Sequence, residues 1–176
     1  SYRTTFSDID VGCEACHGAG SVHVAWAEMP EMARSAAPNY RLEVRTSGLE
    51  SRELVEICAP CHARRGTLGD TDHAEADLMD NYLPSLLTEG LYFADGQILD
   101  EVYVYGSFIQ SKMFHAGIRC SDCHDVHSTK TKFHGNAVCT SCHQHPVNKY
   151  DTFEHHKHEE GTEGASCVAC HMPETV

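Results

Sequence analysis

Residues 120–143 read CSDCHDVHSTKTKFHGNAVCTSCH, and the pattern in this stretch decides the class of fold. It contains two copies of C-x-x-C-H, one beginning at Cys120 and the other at Cys139. Outward from it, three more copies begin at Cys13, Cys58 and Cys167, so all 10 cysteines fall within the five copies. The cysteines are Cys13, Cys16, Cys58, Cys61, Cys120, Cys123, Cys139, Cys142, Cys167 and Cys170. The histidines that close the copies are His17, His62, His124, His143 and His171.

The C-x-x-C-H pattern is the attachment signature of c-type haem. Two thiols add to the two vinyl groups of the haem as thioethers, and the adjacent histidine binds the iron as its proximal ligand. The two-residue gap sets the spacing of the sulfur atoms, and the histidine that follows at once lies beneath the iron. The sequence therefore predicts five covalently bound haems c as the cofactors.

Three other uses of paired cysteines explain the pattern less well. A disulfide framework pairs cysteines across longer separations, and a thioredoxin-like dithiol uses one motif in a strand–helix setting. Zinc is the more serious alternative, because the pairs at 120–123 and 139–142 have the spacing of a zinc ribbon. Zinc does not account for a histidine after every pair, so haem is the preferred interpretation.

The ligand on the second face of each iron decides between an electron carrier and a catalyst. Nine histidines lie outside the five copies, enough for a second histidine at every iron. Met172 follows a proximal histidine too closely to reach the opposite face of the same haem, and the other methionines are interpreted as packing residues. Bis-histidine ligation predicts low reduction potentials, because methionine ligation raises them. No catalytic residue is predicted.

Positions along the chain rank the candidates for the second ligand. His23 lies on a predicted helix just after the first copy, and His127 is too near the third proximal histidine to bind the same haem, so we expect it to bind a neighbouring one. The cluster at 155–158 is expected to supply at least one ligand. The predicted distal ligands are His23, His115, His127, His134, His156 and His158. His73 and His145 are interpreted as surface or outer-shell residues.

The composition indicates a small polypeptide core. Hydrophobic residues, cysteines included, make up 41% of the 176 positions, which is lean for a self-sufficient domain. We expect the flat apolar faces of the haems to form the core. The predicted fold is mainly α with much irregular loop and little β, a single domain over 1–176 in which short helices wrap around stacked haems. The copies have no fixed spacing, so a solenoid is not expected.

Two helices are predicted before residue 63. The first covers 21–32, with Ser21 as its N-cap. The second begins at about Ser51 and continues into the second haem site, because apolar residues there share a face with Cys58. Ser51 or Ser47 is expected to cap it.

The long segment between the second and third copies is less regular. Residues 77–87 have helical periodicity, which is expected to break at Pro84. Residues 98–110 contain β-branched and aromatic residues that favour a strand locally, whereas the length of the run favours a helix. A helix is the preferred interpretation.

Charge and hydropathy limit the partners. The net charge of −13, from 26 acidic and 13 basic residues, excludes a nucleic-acid backbone as the partner, and no apolar run is long enough for a transmembrane helix. Haem propionates add negative charge, so redox partners with basic docking surfaces are expected, other multihaem cytochromes among them. Thioether attachment takes place outside the cytoplasmic membrane, so the expected location is periplasmic or extracellular, with any leader removed. So lean a core is compatible with a homo-oligomer or a filament.

Several blocks resemble the large multihaem cytochromes c that are often fused to tetratricopeptide repeats. The blocks are 12–26 (GCEACHGAGSVHVAW), 90–106 (GLYFADGQILDEVYVYG), 110–113, 120–127 and 167–173 (CVACHMP). Those cytochromes are related to pentahaem nitrite reductase and octahaem hydroxylamine oxidoreductase. The resemblance implies His23 and His127 as distal ligands and, less directly, the 155–158 cluster. Family members usually have further haem sites on both sides, so a processed form or a fragment is expected.

Electron transfer is the predicted function. A compact chain of this length is a sphere of about 20 Å radius, so five irons inside it lie at most roughly 19 Å from their neighbours. Haem edges must then be close enough for electrons to tunnel between them. The alternative is a reductase or oxidase of small nitrogen or sulfur compounds, which needs one iron with an open position. Nitrite reductases of the related group have lysine as the proximal ligand of the catalytic haem, and no copy here has one, so an enzyme is not predicted.

Overall fold

Short helices joined by loops make up most of the regular structure. The computed structural model describes residues 3–6, 10–69, 77–144, 146 and 149–173. In these ranges the α-helices are α1 (Glu14–His17), α2 (Ser21–Ala27), α3 (Ser51–His62), α4 (Leu78–Asn81), α5 (Tyr105–Phe108), α6 (Lys112–His115), α7 (Cys120–Cys123), α8 (Ala137–Thr140), α9 (Phe153–His156) and α10 (Cys167–His171). Single turns of 3₁₀ helix cover Glu31–Ala33 and Glu163–Ala165. Pro38–Arg41 forms a tight turn instead, in which Asn39 and Tyr40 have positive φ.

Two small antiparallel sheets complete the regular structure of the described residues. Strand β1 (Arg65–Thr67) pairs with β2 (Tyr82–Pro84), and β3 (His124–Asp125) pairs with β4 (Lys130–Thr131). The prediction of a mainly α fold with much loop and little β is therefore confirmed. Across the described ranges, no helix has both the length and the apolar character needed to cross a membrane.

Helix α3 organises the protein core. It has 12 residues and buries Leu54, Val55 and Ala59. Ala59 packs in a buried cluster with Ala63, Leu78 and Tyr82, against which Tyr105 is partly buried. Because the second C-x-x-C-H copy forms the last turn of this helix, the core holds that copy in place.

The prediction that a helix runs from Ser51 into the second copy is confirmed, but the predicted cap is wrong. Glu50 is the N-cap, in a capping box that it forms with Glu53. Ser51 is buried instead, and its Oγ donates a hydrogen bond to the carbonyl of Ile118 at 2.5 Å. The tertiary acceptor therefore outweighs the local capping preference of serine.

The first predicted helix is shorter than expected. It begins at Ser21, with Gly20 rather than Ser21 at the N-cap position, and it ends at Ala27 instead of continuing to residue 32. Pro30 explains the early end, because a proline disfavours helical backbone at the residue before it. The remaining residues form the separate 3₁₀ turn that begins at Glu31.

The two predictions for the long middle segment are wrong in extent. Helix α4 ends at Asn81, before Pro84, because Tyr82–Pro84 pairs with β1 instead. In 98–110 only Tyr105–Phe108 is helical. Tyr103 has a φ of 59°, which interrupts any regular helix, and Val102 is 1% exposed. Val102 is therefore buried in a non-helical segment, where the length of the run had favoured a helix.

Candidate functional site: five cysteine–histidine turns

Each C-x-x-C-H copy lies on or beside one helical turn. The five turns are α1, the end of α3, α7, the end of α8 with the turn that follows it, and α10. Side chains three positions apart share a face of a helix, so the two thiols of a copy lie on the same side. In the first copy the amide of His17 donates to the carbonyl of Cys13 at 3.0 Å. This local geometry suits two covalent attachments to one flat group.

The end of the first copy is held by a separate segment. The amide of Val44, a buried residue, donates to the carbonyl of His17 at 3.0 Å, and the carboxylate of Glu43 accepts a hydrogen bond from the amide of Ala19 at 2.9 Å. Gly18 has a φ of +71°, and a Cβ there would lie 2.7 Å from the Cβ of Glu43. Glycine is therefore required for this close approach.

Thiols of different copies lie next to one another. Cys58 of the second copy is hydrogen-bonded to Cys120 of the third, and Cys139 of the fourth copy is hydrogen-bonded to Cys167 of the fifth. The neighbouring thiols that interact electrostatically are Cys16 with Cys61 and Cys123 with Cys142. The hydrogen bonds join the second copy to the third and the fourth to the fifth, and the electrostatic interactions bring the first copy near the second and the third near the fourth.

The Cys58–Cys120 contact changes both thiols. Its hydrogen bond lowers the pKa of Cys120 to about 7. The same bond, with burial as the next cause, raises the pKa of Cys58. The lowered pKa favours the thiolate at Cys120, which is the reactive form of cysteine.

One motif histidine faces a histidine from elsewhere at the first site. The ring centroids of His17 and His127 are 6.3 Å apart, and their planes differ by 8°. A metal bound by both rings needs about 2.0 Å to each nitrogen and roughly 1.1 Å from nitrogen to ring centre, hence about 6 Å between centroids. The observed separation fits an iron between the two rings. The Nδ1 atom of His17 is also buried without a hydrogen-bond partner, so the protein alone does not satisfy this imidazole.

A second pair of histidines has the same geometry at the fifth site. His155 and His171 have ring centroids 6.2 Å apart and planes that differ by 8°. Both side chains are exposed to solvent. Sequence reasoning identified the 155–158 cluster but selected His156 and His158. It missed His155, since adjacent histidines have no spacing signal that separates them.

His23 is oriented as a metal ligand would be. Its Nδ1 lies 2.6 Å from the carbonyl oxygen of Tyr40. A carbonyl only accepts hydrogen bonds, so Nδ1 is the donor here, and Nε2 is the nitrogen that a neutral ring would offer to a metal. Metal-binding histidines usually donate their other ring N–H in this way. The ring also contacts Trp26, at a centroid distance of 6.0 Å.

The remaining candidate histidines have no second histidine ring against them among the described residues. His115 ends α6 and packs edge-on against Phe114, with centroids 5.6 Å apart. His134 is exposed. The Nδ1 of His156 accepts a hydrogen bond from the amide of His158 at 3.2 Å. His73 and His145, interpreted as surface residues, lie outside the described residues. These assignments stay predictions.

The metal alternatives differ in the number of protein ligands that they need. A zinc ribbon needs four, and within the described parts of the chain no group of three or more His, Cys, Asp or Glu side chains is placed to hold a metal ion. A haem iron needs only the two axial ligands, since the porphyrin supplies four nitrogens. The histidine pairs therefore fit haem, whereas the zinc-ribbon interpretation has no support in the geometry.

The surface area of the polypeptide also fits large bound groups. The chain exposes 13532 Å², whereas a compact protein of 19.5 kDa exposes about 8,500 Å². The exposed apolar side chains include Val22, Val24, Val168 and Met172, which lie in or beside the C-x-x-C-H turns. Five flat apolar groups attached at these turns would cover such surface.

Comparison with known proteins adds no relative to this picture. No family model, no curated protein and no solved structure matches the chain. The interpretation of the site therefore rests on its sequence pattern and geometry.

Proposed function

We propose that this chain is a multihaem cytochrome c that binds five haems covalently and passes single electrons between them. The observation that carries the proposal is the pairing of two motif histidines, His17 and His171, with histidines from elsewhere at separations that fit an iron. A pattern that occurs by chance would not place a second imidazole opposite the first in two separate parts of the fold. The resemblance to multihaem cytochromes agrees with this proposal.

Each residue type has a separate task. A bound haem c supplies an iron that cycles between the ferrous and ferric states, one electron at a time. The cysteines would hold the group through two thioether bonds, and the motif histidine of each copy would bind the iron. His127 and His155 would supply a second imidazole at the first and fifth sites. An iron held by two imidazoles would have no position free for a substrate, which favours electron transfer.

The spatial order of the thiols supports a linear path. Thiol hydrogen bonds between the second and third copies and between the fourth and fifth support this path, as do the electrostatic interactions of the first copy with the second and of the third with the fourth. His127 follows the third copy but faces His17 of the first. The segment after the third copy therefore also brings the first site close to the third, so the first three sites are near one another and the path continues through the fourth site to the fifth.

The acidic surface decides the kind of partner. With a net charge of −13 and the added charge of the propionates, the docking partner should present lysines and arginines. Redox proteins with basic surfaces, other multihaem cytochromes among them, are the proposed partners. Because thioether attachment takes place outside the cytoplasmic membrane, the proposed location is periplasmic or extracellular.

The test is expression in a bacterial host that attaches c-type haem, followed by intact mass and spectroscopy. The expected mass is that of the polypeptide with five haems, and the oxidised protein should give only low-spin spectra. A variant with Cys58→Ser and Cys61→Ser should lose the mass of one haem. A Ser141→Ala variant changes the interior of a copy without touching a thiol and should keep all five. Free thiols or bound zinc in the wild type would contradict the proposal.

The same preparation tests the enzyme alternative. In the described residues, His62, His124 and His143 have no ring contact with a second histidine, so these are the positions where an open iron would be found. Addition of nitrite, hydroxylamine or carbon monoxide should leave the spectra unchanged if every axial position is filled. A high-spin fraction that shifts on addition would indicate a reductase or oxidase instead.

A further inference from the structure

The ring of Tyr150 lies between the fourth and fifth sites. Its centroid is 6.2 Å from that of His143, the motif histidine of the fourth site, and 5.4 Å from that of His155. The ring planes are nearly perpendicular in both contacts, at 87° and 85°. His155 in turn faces His171 of the fifth site at 6.2 Å. Four neighbouring rings thus join one site to the next.

Resting on the proposed function, we propose that Tyr150 is a positioning residue that fixes the ring orientations of His143 and His155 and so couples the fourth site to the fifth. Edge-to-face contact is a preferred geometry for aromatic rings, and it resists rotation of either histidine about its Cβ–Cγ bond. Groups that touch metal ligands orient them and tune the metal in this way. One side chain here does so for two sites.

The local chain holds Tyr150 at a fixed distance from His155. The hydroxyl of Thr152 donates to the carbonyl of Lys149 at 3.3 Å, and the amide of His155 donates to the carbonyl of Thr152 at 3.0 Å. The Nζ of Lys149 lies 4.9 Å from the centre of the tyrosine ring, which is within the range of a cation–π contact. The turn that begins α9 therefore presents the ring and the histidine as one unit.

Tyr150 changes neither its oxidation state nor its protonation in this role. Bound haems would supply the redox change between the two sites, and no bond would form or break in the four rings. The contribution of Tyr150 is the orientation of the two imidazoles and the filled space between them.

The test compares variants of the haem-loaded protein by EPR spectroscopy of the oxidised state and by potentiometric titration. Rotation of an axial imidazole changes the g values of a low-spin haem, a readout that a merely structural residue would leave in place. Tyr150→Leu and Tyr150→Met both remove the ring, and each should shift the signals of two of the five haems and the potentials of the same two. Tyr150→Phe keeps the ring and should match the wild type.

Tyr103→Leu is the matched control, because this tyrosine is 52% exposed and lies far along the chain from the fourth and fifth copies. It should leave all five signals unchanged. The inference is overturned if the ring-deleting variants keep the wild-type spectrum, or if Tyr150→Phe shifts the signals as much as they do. Fewer than five low-spin haems in the wild type would instead count against the proposed function, so the two failures are distinguishable. Should Tyr150→Leu fail to load five haems by intact mass, Tyr150→Met and Tyr150→Phe decide the question.

Discussion

The amide of Asn136 connects the fourth site to the fifth, and its removal tests how the C-terminal part is held together. Its Nδ2 donates to the carboxylate of Asp151 at 2.7 Å and to the carbonyl of Ala165 at 2.8 Å. Its Oδ1 accepts a hydrogen bond from the amide of Cys167, at the start of α10, at 2.8 Å. Since Asn136 directly precedes α8, one side chain joins the turns that carry two copies.

The expected cost of Asn136→Ala follows from these three bonds. Each is worth about 1 kcal/mol, somewhat more where the acceptor is charged or the orphaned partner is buried, which gives about 3 kcal/mol in all. With a urea slope of about 2 kcal/mol per M, the unfolding midpoint should fall by about 1.5 M. The matched control is Asp151→Ala, which removes one partner at an exposed position and should cost no more than about 1 kcal/mol.

The assay is urea unfolding of the haem-loaded protein, followed by circular dichroism and by the haem absorption band. Hydrogen exchange at the amide of Cys167 supplies a local reading, and protection there should fall in Asn136→Ala but not in Asp151→Ala. The reasoning is refuted if Asn136→Ala unfolds within about 0.5 kcal/mol of the wild type, the range of an ordinary surface substitution. It is also refuted if the control variant is destabilised as much.

Further predictions concern ligation, packing, charge and association. His155→Ala should convert one of five low-spin haems to high spin, and an unchanged EPR spectrum would exclude its pairing with the fifth proximal histidine. Gly106→Ala should lower the free energy of unfolding by about 1–3 kcal/mol, as measured by thermal unfolding. The reason is that a Cβ at this position overlaps the hydroxyl of Tyr92. Gly66→Ala, with nothing within 4 Å of the added Cβ, should cost far less. A hydrogen bond from Arg119 lowers the pKa of Asp122 below its ordinary 3.8. The pair therefore stabilises the fold fully above pH 3.8, and this stabilisation is lost as the pH falls through the lowered pKa. Asp122→Asn should therefore be slightly less stable than the wild type at pH 7, by under about 1 kcal/mol because the pair is partly exposed, and should match it in acid. The association rate with a basic redox partner should fall as salt rises, and a rate independent of ionic strength would contradict the docking proposal.

Local sequence predicted the secondary structure well where burial follows a helical period. Helix α3 was predictable because Leu54, Ile57, Cys58 and Cys61 share one face of a helix, although the side chains that the structure buries are those of Leu54, Val55 and Ala59. The N-cap of this helix was not predictable, because the choice between Glu50 and Ser51 depends on the carbonyl of Ile118, which is 67 residues from Ser51 in the chain. Local rules rank serine as a good cap, but they carry no information about a distant acceptor.

The candidate site likewise has residues that local sequence predicts and residues that depend on distant parts of the chain. The C-x-x-C-H spacing is local, so the ten cysteines and the five motif histidines are identified by the sequence pattern alone. A proposed distal ligand belongs to another segment, and its identity depends on where the folded chain brings that segment. At 155–158, Lys157 adopts the left-handed conformation with φ 61°. It ends α9, so His155 lies within the helix and His158 lies beyond it. No periodicity in the sequence marks that reversal.

The sizes of the helices bear on what stabilises this fold. Helices of four or five residues are far below the length at which a helix is stable by itself in water, yet the turns of four copies are of this size. The buried apolar residues centre on α3, and the exposed area is well above that of a compact chain of this mass. On the proposed function, covalent attachment of the haems supplies the stability that the short helices and the small protein core do not. Each haem joins two thiols and a histidine on one turn to a second histidine on another. The contacts that would hold the haems close enough for electron transfer are then the same contacts that hold the polypeptide together, so a lean protein core and a short electron path have one physical cause.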